Sequence, residues 1–250
     1  PPPMRAATGG AAQSAPPVNT PAVSGPVIKP PAPPSQPPAP PAPPRIQGDR
    51  KNLEQAFQKI TQELPQYVLG QEAYLAALTK AFKRPLVEGK SDGVKNIIFI
   101  SGTKGTGRHL SVKVITRLLN QQKILTSGAV ATIDLEKYTS ANEAEMLFIP
   151  DLYKALYGGE QVVVFDNLER CHDTVLSKII DLCIEEKLTV NKRYADQANQ
   201  LTEITGALQL NTKEALEVNG KYFVFVTDAP AEKVLQKVPN RFAQKVCDLL

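Results

Sequence analysis

The sequence predicts an α/β fold: a parallel β-sheet between helices in three αβα layers, with an inserted β-hairpin and a disordered Pro-rich tail in front. Three observations carry this reading. Short apolar runs at residues 96–100, 130–135, 161–166 and 221–227 alternate with stretches of helical period. Strands that are apolar throughout belong to sheets covered on both faces. Residues 187–220 instead alternate Thr, Val, Leu and Gln and close on Asn219-Gly220, a hairpin signal. Finally, 17 of the 22 prolines fall in residues 1–44.

The tail comes first. Residues 1–44 carry only Arg5 and Lys29 as charges and no aromatic ring. Such a segment buries too little apolar area to offset its ordering entropy, so residues 1–48 are expected to be disordered, with polyproline II runs around 30–44. Residues 49–250 then form one domain. In 51–64, Leu53, Ala56, Phe57, Ile60 and Leu64 recur at spacings of three and four and predict a helix that Pro65 ends. A second helix follows Gly70, from 71 to about 83. The strand at 96–100 leads into a Gly-rich turn and a helix through 118–119. The strand at 130–135 precedes a helix at 146–156, and that at 161–166 precedes one at 173–186. The strand at 221–227 is followed by a helix at 231–237, and residues 246–250 open a fifth strand.

Composition excludes several classes. No run of about 18 apolar residues exists to span a membrane, and Pro1 is followed by no basic-then-apolar leader of the kind a signal peptide needs. Cys171, Cys183 and Cys247 are a sparse, odd set, which points to a reducing compartment and a cytoplasmic location. With 29 basic against 25 acidic residues, a net charge of +4 gives no nucleic-acid signature. A zinc site from Cys171, His172 and Cys183 fails on spacing, because neighbours on one helix diverge by about 100°. The cysteines read as structural, and no metal ligands are assigned. The absent initiator Met and the stop at Leu250 read as a piece of a longer chain.

The turn after the first strand is Gly102-Thr103-Lys104-Gly105-Thr106-Gly107-Arg108-His109. Strand, Gly-rich turn, helix is the context in which backbone N–H groups and a helix N-terminus cradle phosphates. The spacing from Gly102 to Gly107 is that of G-x-x-x-x-G-K-[ST]. The last two positions depart from it. Arg108 stands where a lysine reaches the β- and γ-phosphates, and a planar fork is not equivalent to a point charge. His109 stands where a hydroxyl binds Mg²⁺, which takes oxygen ligands. Arg108 has two readings, phosphate binding without hydrolysis or a surface charge.

With these runs in place, the chain resembles the Clp-type AAA+ unfoldases over roughly residues 62–250. Leu64-Pro-Gln-Tyr-Val68-Leu-Gly-Gln71 is similar to that family's "L…VIGQ" motif, which packs beside the adenine. Thr132-Ile-Asp-Leu-Glu-Lys-Tyr138 is similar to "RIDMSEY", and Asp166-Asn-Leu-Glu-Arg-Cys-His-Asp-Thr-Val-Leu176 to the Walker B run "DEIEKAHPDVL". The resemblance implies an AAA+ P-loop fold whose small lid subdomain is missing from this chain. It also implies cofactor-binding positions at Val68, Gly102–Gly107, Arg108, His109 and Asp166, with ATP or ADP as ligand and Mg²⁺ in doubt.

The same resemblance marks what is lost. Asn167 stands at the glutamate that polarises water, and an amide cannot act as its general base. Asp228 stands at the sensor asparagine, where a carboxylate repels the γ-phosphate. Lys245 stands at the arginine finger, with Arg241 as the alternative. The aromatic "GYVG" pore loop has no counterpart between Tyr138 and Val162; Tyr157-Gly-Gly159 is the nearest echo. Losing one base or charge stabiliser typically costs about 10²–10⁴ in rate. The expectation is therefore a pseudo-ATPase without catalytic residues. It would serve as a scaffold or assembly subunit for protein partners, including other AAA+ subunits in a ring. The alternatives are an ATP/ADP-binding switch, or a weakly active ATPase with Glu169 as replacement base. The Pro-rich tail is a spacer or a ligand for an SH3-like groove.

Overall fold

The computed structural model describes residues 50–197, 200–204, 212–246 and 248–250. The tail expected to be disordered, and Cys247, lie outside them. Among the described residues no helix is long and apolar enough to cross a membrane.

The chain is α/β. Its main sheet contains β1 (Val94–Ser101), β2 (Val130–Asp134), β3 (Val162–Asp166), β7 (Lys221–Thr227) and β8 (Asp248–Leu249). They lie in the order β2-β3-β7-β1-β8, and each described pairing is parallel. Side chains alternate between two cores. Ile97, Phe99, Val163, Phe165, Phe223 and Phe225 face one side, where α4 (Ala144–Tyr157) and α5 (Asp173–Glu185) cover them. Ile98, Ile100, Val162, Val164, Val224 and Val226 face α1 (Arg50–Glu63), α2 (Glu72–Val87) and α3 (Arg108–Gln121). Each fully buried large apolar side chain contributes about 1.5–3 kcal/mol, so double coverage explains the unbroken apolar stretches 97–100, 162–165 and 222–226 of the inner strands. The register pairs Asp134 with Asp166, Asp166 with Val226 and Ser101 with Thr227. Four strands therefore end together along one edge of the sheet, and the turns that carry the candidate site leave from there.

Three expectations are corrected. Helix α2 does not stop near 83 but continues to Val87 with Pro85 inside it. Proline has no N–H, so the Ala81 carbonyl loses its helical donor. The buried Asn96 amide donates to Ala81 O at 2.7 Å and to Asp248 Oδ2 at 2.8 Å, and Tyr222 Oη donates to Phe82 O at 3.0 Å. Long-range side chains thus satisfy the helix around its proline. The insert is also larger than a hairpin. It is a separate antiparallel sheet of β4 (Lys187–Gln197), β5 (Gln200–Glu203) and β6 (Thr212–Glu217), in the order β5-β4-β6. Asn219-Gly220 is no hairpin turn, because it joins β6 to β7, which belongs to the other sheet. Gly220 has φ 64°, and a Cβ there would come within 3.1 Å of Ser91 O. The connection needs glycine for its backbone and its space, not for a hairpin. The helix expected at 231–237 is shorter, α6 (Ala231–Leu235), and is followed by α7 (Asn240–Ala243).

Candidate functional site

The loop between β1 and α3 is shaped by its glycines. Gly105 and Gly107 have φ of 86° and 82°, in the left-handed region that costs glycine nothing. Thr106 Oγ1 donates to Thr103 O at 2.9 Å and closes the loop on itself, while Gly102 N donates to Thr227 O at 3.3 Å and ties it to β7. Val68 is buried against the loop: a Cβ on Gly107 would come within 3.2 Å of Val68 Cγ1. The structure thus brings Val68 and the Gly-rich loop together, although they are distant in sequence. Thr103, Lys104 and Gly105 are exposed.

Arg108 opens α3 and is buried, its side chain 7% exposed. The surface-charge reading is therefore corrected. Its Nη1 donates to the Thr227 carbonyl and its Nη2 to Asp228 Oδ1 at 2.5 Å. Asp228 Oδ2 is shielded from solvent and faces Lys104 Nζ at 3.4 Å. The hydrogen bond from Arg108, reinforced by Lys104, holds the Asp228 carboxyl below the usual carboxylate range. The two cations of the loop are thus neutralised by a carboxylate of the same chain. Thr227 extends the network, since its hydroxyl donates to Glu169 Oε2 at 2.7 Å and accepts from Ala229 N at 3.0 Å. Glu169, the alternative base, is held by that hydroxyl.

The second pair lies beside the first. His109 Nε2 is 2.9 Å from Asp166 Oδ2. The two positions that the family resemblance assigns to Mg²⁺ contact each other directly. Asn167 adopts the left-handed conformation, φ 59° and ψ 45°, which asparagine tolerates better than most residues. Its backbone N donates to Val226 O at 3.0 Å and its Nδ2 to Asp134 Oδ1 at 2.9 Å. Its side chain is turned to the end of β2. Among the described residues no group of three or more His, Cys, Asp and Glu is placed to hold a metal ion. A Mg²⁺-bound polyphosphate does not fit these residues as they stand, because it would have to displace Asp228 from Arg108 and His109 from Asp166.

The remaining positions are apart from this cluster in their described contacts. Arg241 on α7 pairs with Asp181 on α5 at 3.2 Å, and Lys245 lies in the turn after α7, its backbone N donating to Phe242 O at 2.8 Å. Tyr157 stacks on Tyr153 with ring centroids 4.6 Å apart, and its hydroxyl accepts from Glu217 N at 3.2 Å. Burial pushes the Cys171 thiol up to about 11 and raises that of Cys183. Both are therefore poor nucleophiles, and both are free. Sequence reading missed Thr227 and Asp134 as members of the site. Both lie at strand ends that only the sheet register brings beside Arg108 and Asn167. Compared with known proteins, the chain matches no protein-family model and no curated protein.

Proposed function

We propose that residues 49–250 form the large subdomain of a degenerate Clp-type AAA+ domain, of P-loop fold, that serves as a non-hydrolysing scaffold or assembly subunit. The observation that carries this reading is the Arg108–Asp228 pair at 2.5 Å. A charge-assisted hydrogen bond is roughly twice as strong as a neutral one, and here it occupies the cation that a phosphate would need. The His109–Asp166 contact occupies the metal positions in the same way. Asn167 is an amide held by Asp134, and Glu169 accepts a hydrogen bond from Thr227 through Oε2, which disfavours the weakly active ATPase because the first cannot take a proton from water and the second already spends one oxygen on the Thr227 hydroxyl. The partners are proteins, including other AAA+ subunits in a ring. Residues 1–48 serve as spacer or as a ligand for an SH3-like groove, and the setting is cytoplasmic.

The ATP/ADP switch remains the second reading, favoured by the left-handed Gly105 and Gly107 and by Val68 packed on the loop. Thermal unfolding with millimolar ATP or ADP, with and without Mg²⁺, separates the two. A ligand at 100 times its Kd stabilises the native state by about 2.7 kcal/mol. The scaffold reading predicts an unchanged Tm. A rise in Tm with either nucleotide would move the assignment to the switch.

A further inference from the structure

Strand β2 ends the main sheet, so among the described residues one side of it has no neighbouring strand. The register shows which groups face that side. Tyr222 N donates to Gln161 O and Asn167 N to Val226 O, so Val163 and Phe165 bond β7 while Val162, Val164 and Asp166 bond β2. Val130 is aligned on Val162 and Thr132 on Val164. In a parallel pair the β2 residues that bond β3 are then Ala131 and Ile133, and Val130 and Thr132 turn their N–H and C=O outward. Sheet edges are usually blunted by lysine, proline or a bulge. Strand β2 is Val-Ala-Thr-Ile-Asp, and its register on β3 runs without a shift.

Two troughs flank this edge, one on each face of the sheet. On the α3 side, about 310 Å³ lies between the start of β2 and Leu110, Lys113, Val114 and Arg117. On the α4 side, about 320 Å³ lies between β2 and Lys137, Tyr138, Asp151, Lys154 and Glu160. A strand laid along β2 sends successive side chains to opposite faces and so reaches both troughs at once. Their chemistry differs. The first is apolar, with the exposed cations Lys113 and Arg117 and no carboxylate. The second mixes both signs, and its Asp151 and Asp134 already accept from Tyr138 Oη at 2.5 Å and Asn167 Nδ2 at 2.9 Å.

We propose that β2 docks an extended segment of a protein partner as a further strand of the main sheet. One alternate set of its side chains is apolar and acidic and lies against Leu110, Lys113 and Arg117. The other set is polar and uncharged and lies on the α4 side. Main-chain hydrogen bonds to Val130 and Thr132 supply affinity, and the two troughs supply specificity. Residues 1–48 do not provide this segment, because their charged residues are all basic and their prolines carry no N–H. The surface gives the scaffold reading a place to hold a partner. Neither trough contains Arg108, His109, Asp166 or Asp228, so a chain that proved to bind or hydrolyse ATP would leave the proposal standing.

The test is an amide NMR titration of the full chain with the end-capped peptide ETVTETV, up to about 1 mM. As a strand this peptide presents Glu and Val on one face and Thr on the other. Saturable shifts should appear, larger at the outward amides of Val130 and Thr132 than at Ala131 and Ile133, which already bond β3. Thr132→Pro removes an outward donor and spares the β2–β3 bonds, a substitution that edge strands tolerate, and it should abolish the shifts. Thr132→Val keeps the donor and should bind as wild type does. The charge-reversed peptide KTVTKTV should leave wild type unshifted. Should Thr132→Pro lower Tm, Lys113→Glu replaces it, weakening ETVTETV by about threefold and admitting KTVTKTV. No saturable shift with ETVTETV, undiminished binding by either weakening variant, or equal binding of the two peptides would overturn the proposal. So would a wild type that pairs with itself along β2, or an oligothymidylate that displaces ETVTETV, because the edge would then belong to a second copy or to a nucleic acid.

Discussion

Arg108 Nη2 and Asp228 Oδ1 lie 2.5 Å apart, joining the first residue of α3 to the residue after β7. The contact spans 120 positions of sequence, and it places a carboxylate where the loop would otherwise present a cation to an anion. The loop and its occupant thus belong to one chain.

Asp228→Asn removes the charge and keeps the shape. Arg108 then has a weaker competitor, and binding of inorganic triphosphate, read by calorimetry, should tighten by at least about tenfold, equivalent to about 1.4 kcal/mol. The same variant leaves the buried guanidinium poorly compensated and should lower stability by about 1–3 kcal/mol. Unchanged triphosphate affinity would show that Asp228 is not what blocks the loop.

The pH dependence follows from the same pair. The Asp228 carboxyl titrates below the ordinary carboxylate value in the folded chain because Arg108 donates to it. A depressed folded pKa contributes stability that is present above the unfolded value of about 4 and lost as pH falls through the folded one. Denaturant midpoints measured from pH 6 downward should fall for wild type, and less steeply for Asp228→Asn. Equal slopes would contradict the pairing.

Asn96→Leu tests the proline in α2. It leaves the Ala81 carbonyl without its donor and removes a partner of Asp248, at a cost of about 2–4 kcal/mol. In a Pro85→Ala background, residue 85 regains an N–H for the Ala81 carbonyl, so the cost of Asn96→Leu should shrink by about 1 kcal/mol or more. Additive costs in the double mutant would refute the compensation.

Gly107→Ala tests the seat of Val68. At φ 82°, with Val68 Cγ1 3.2 Å from the added methyl, the variant should lose about 1–2 kcal/mol. Val68→Ala in the same chain should recover the steric part and leave the backbone part. No recovery would place the cost in the backbone alone.

Much of the fold was legible because its signals are local. Runs buried on both faces, such as 222–226, are apolar at every position, and the glycines at 105 and 107 mark the loop by spacing. What escaped depends on distant partners. The second helix reads as stopping near 83 until Asn96 is seen to replace the donor that Pro85 lacks. Asn219-Gly220 reads as a hairpin until β6 and β7 are found in different sheets. At the site, the family resemblance singles out Asp228 as a carboxylate facing phosphate. That it pairs with Arg108 follows only from the register of β1 on β7, which aligns Ser101 with Thr227. The His109–Asp166 contact rests on the same kind of alignment and has no local signature.

Phosphate release from ATP by the full chain in Mg²⁺, measured beside Asp166→Ala, is the most direct measurement. A self-occupied, non-hydrolysing site predicts release at the level of the protein-free blank for both proteins. Release above that blank by wild type, abolished in Asp166→Ala, would show a working ATPase and contradict it.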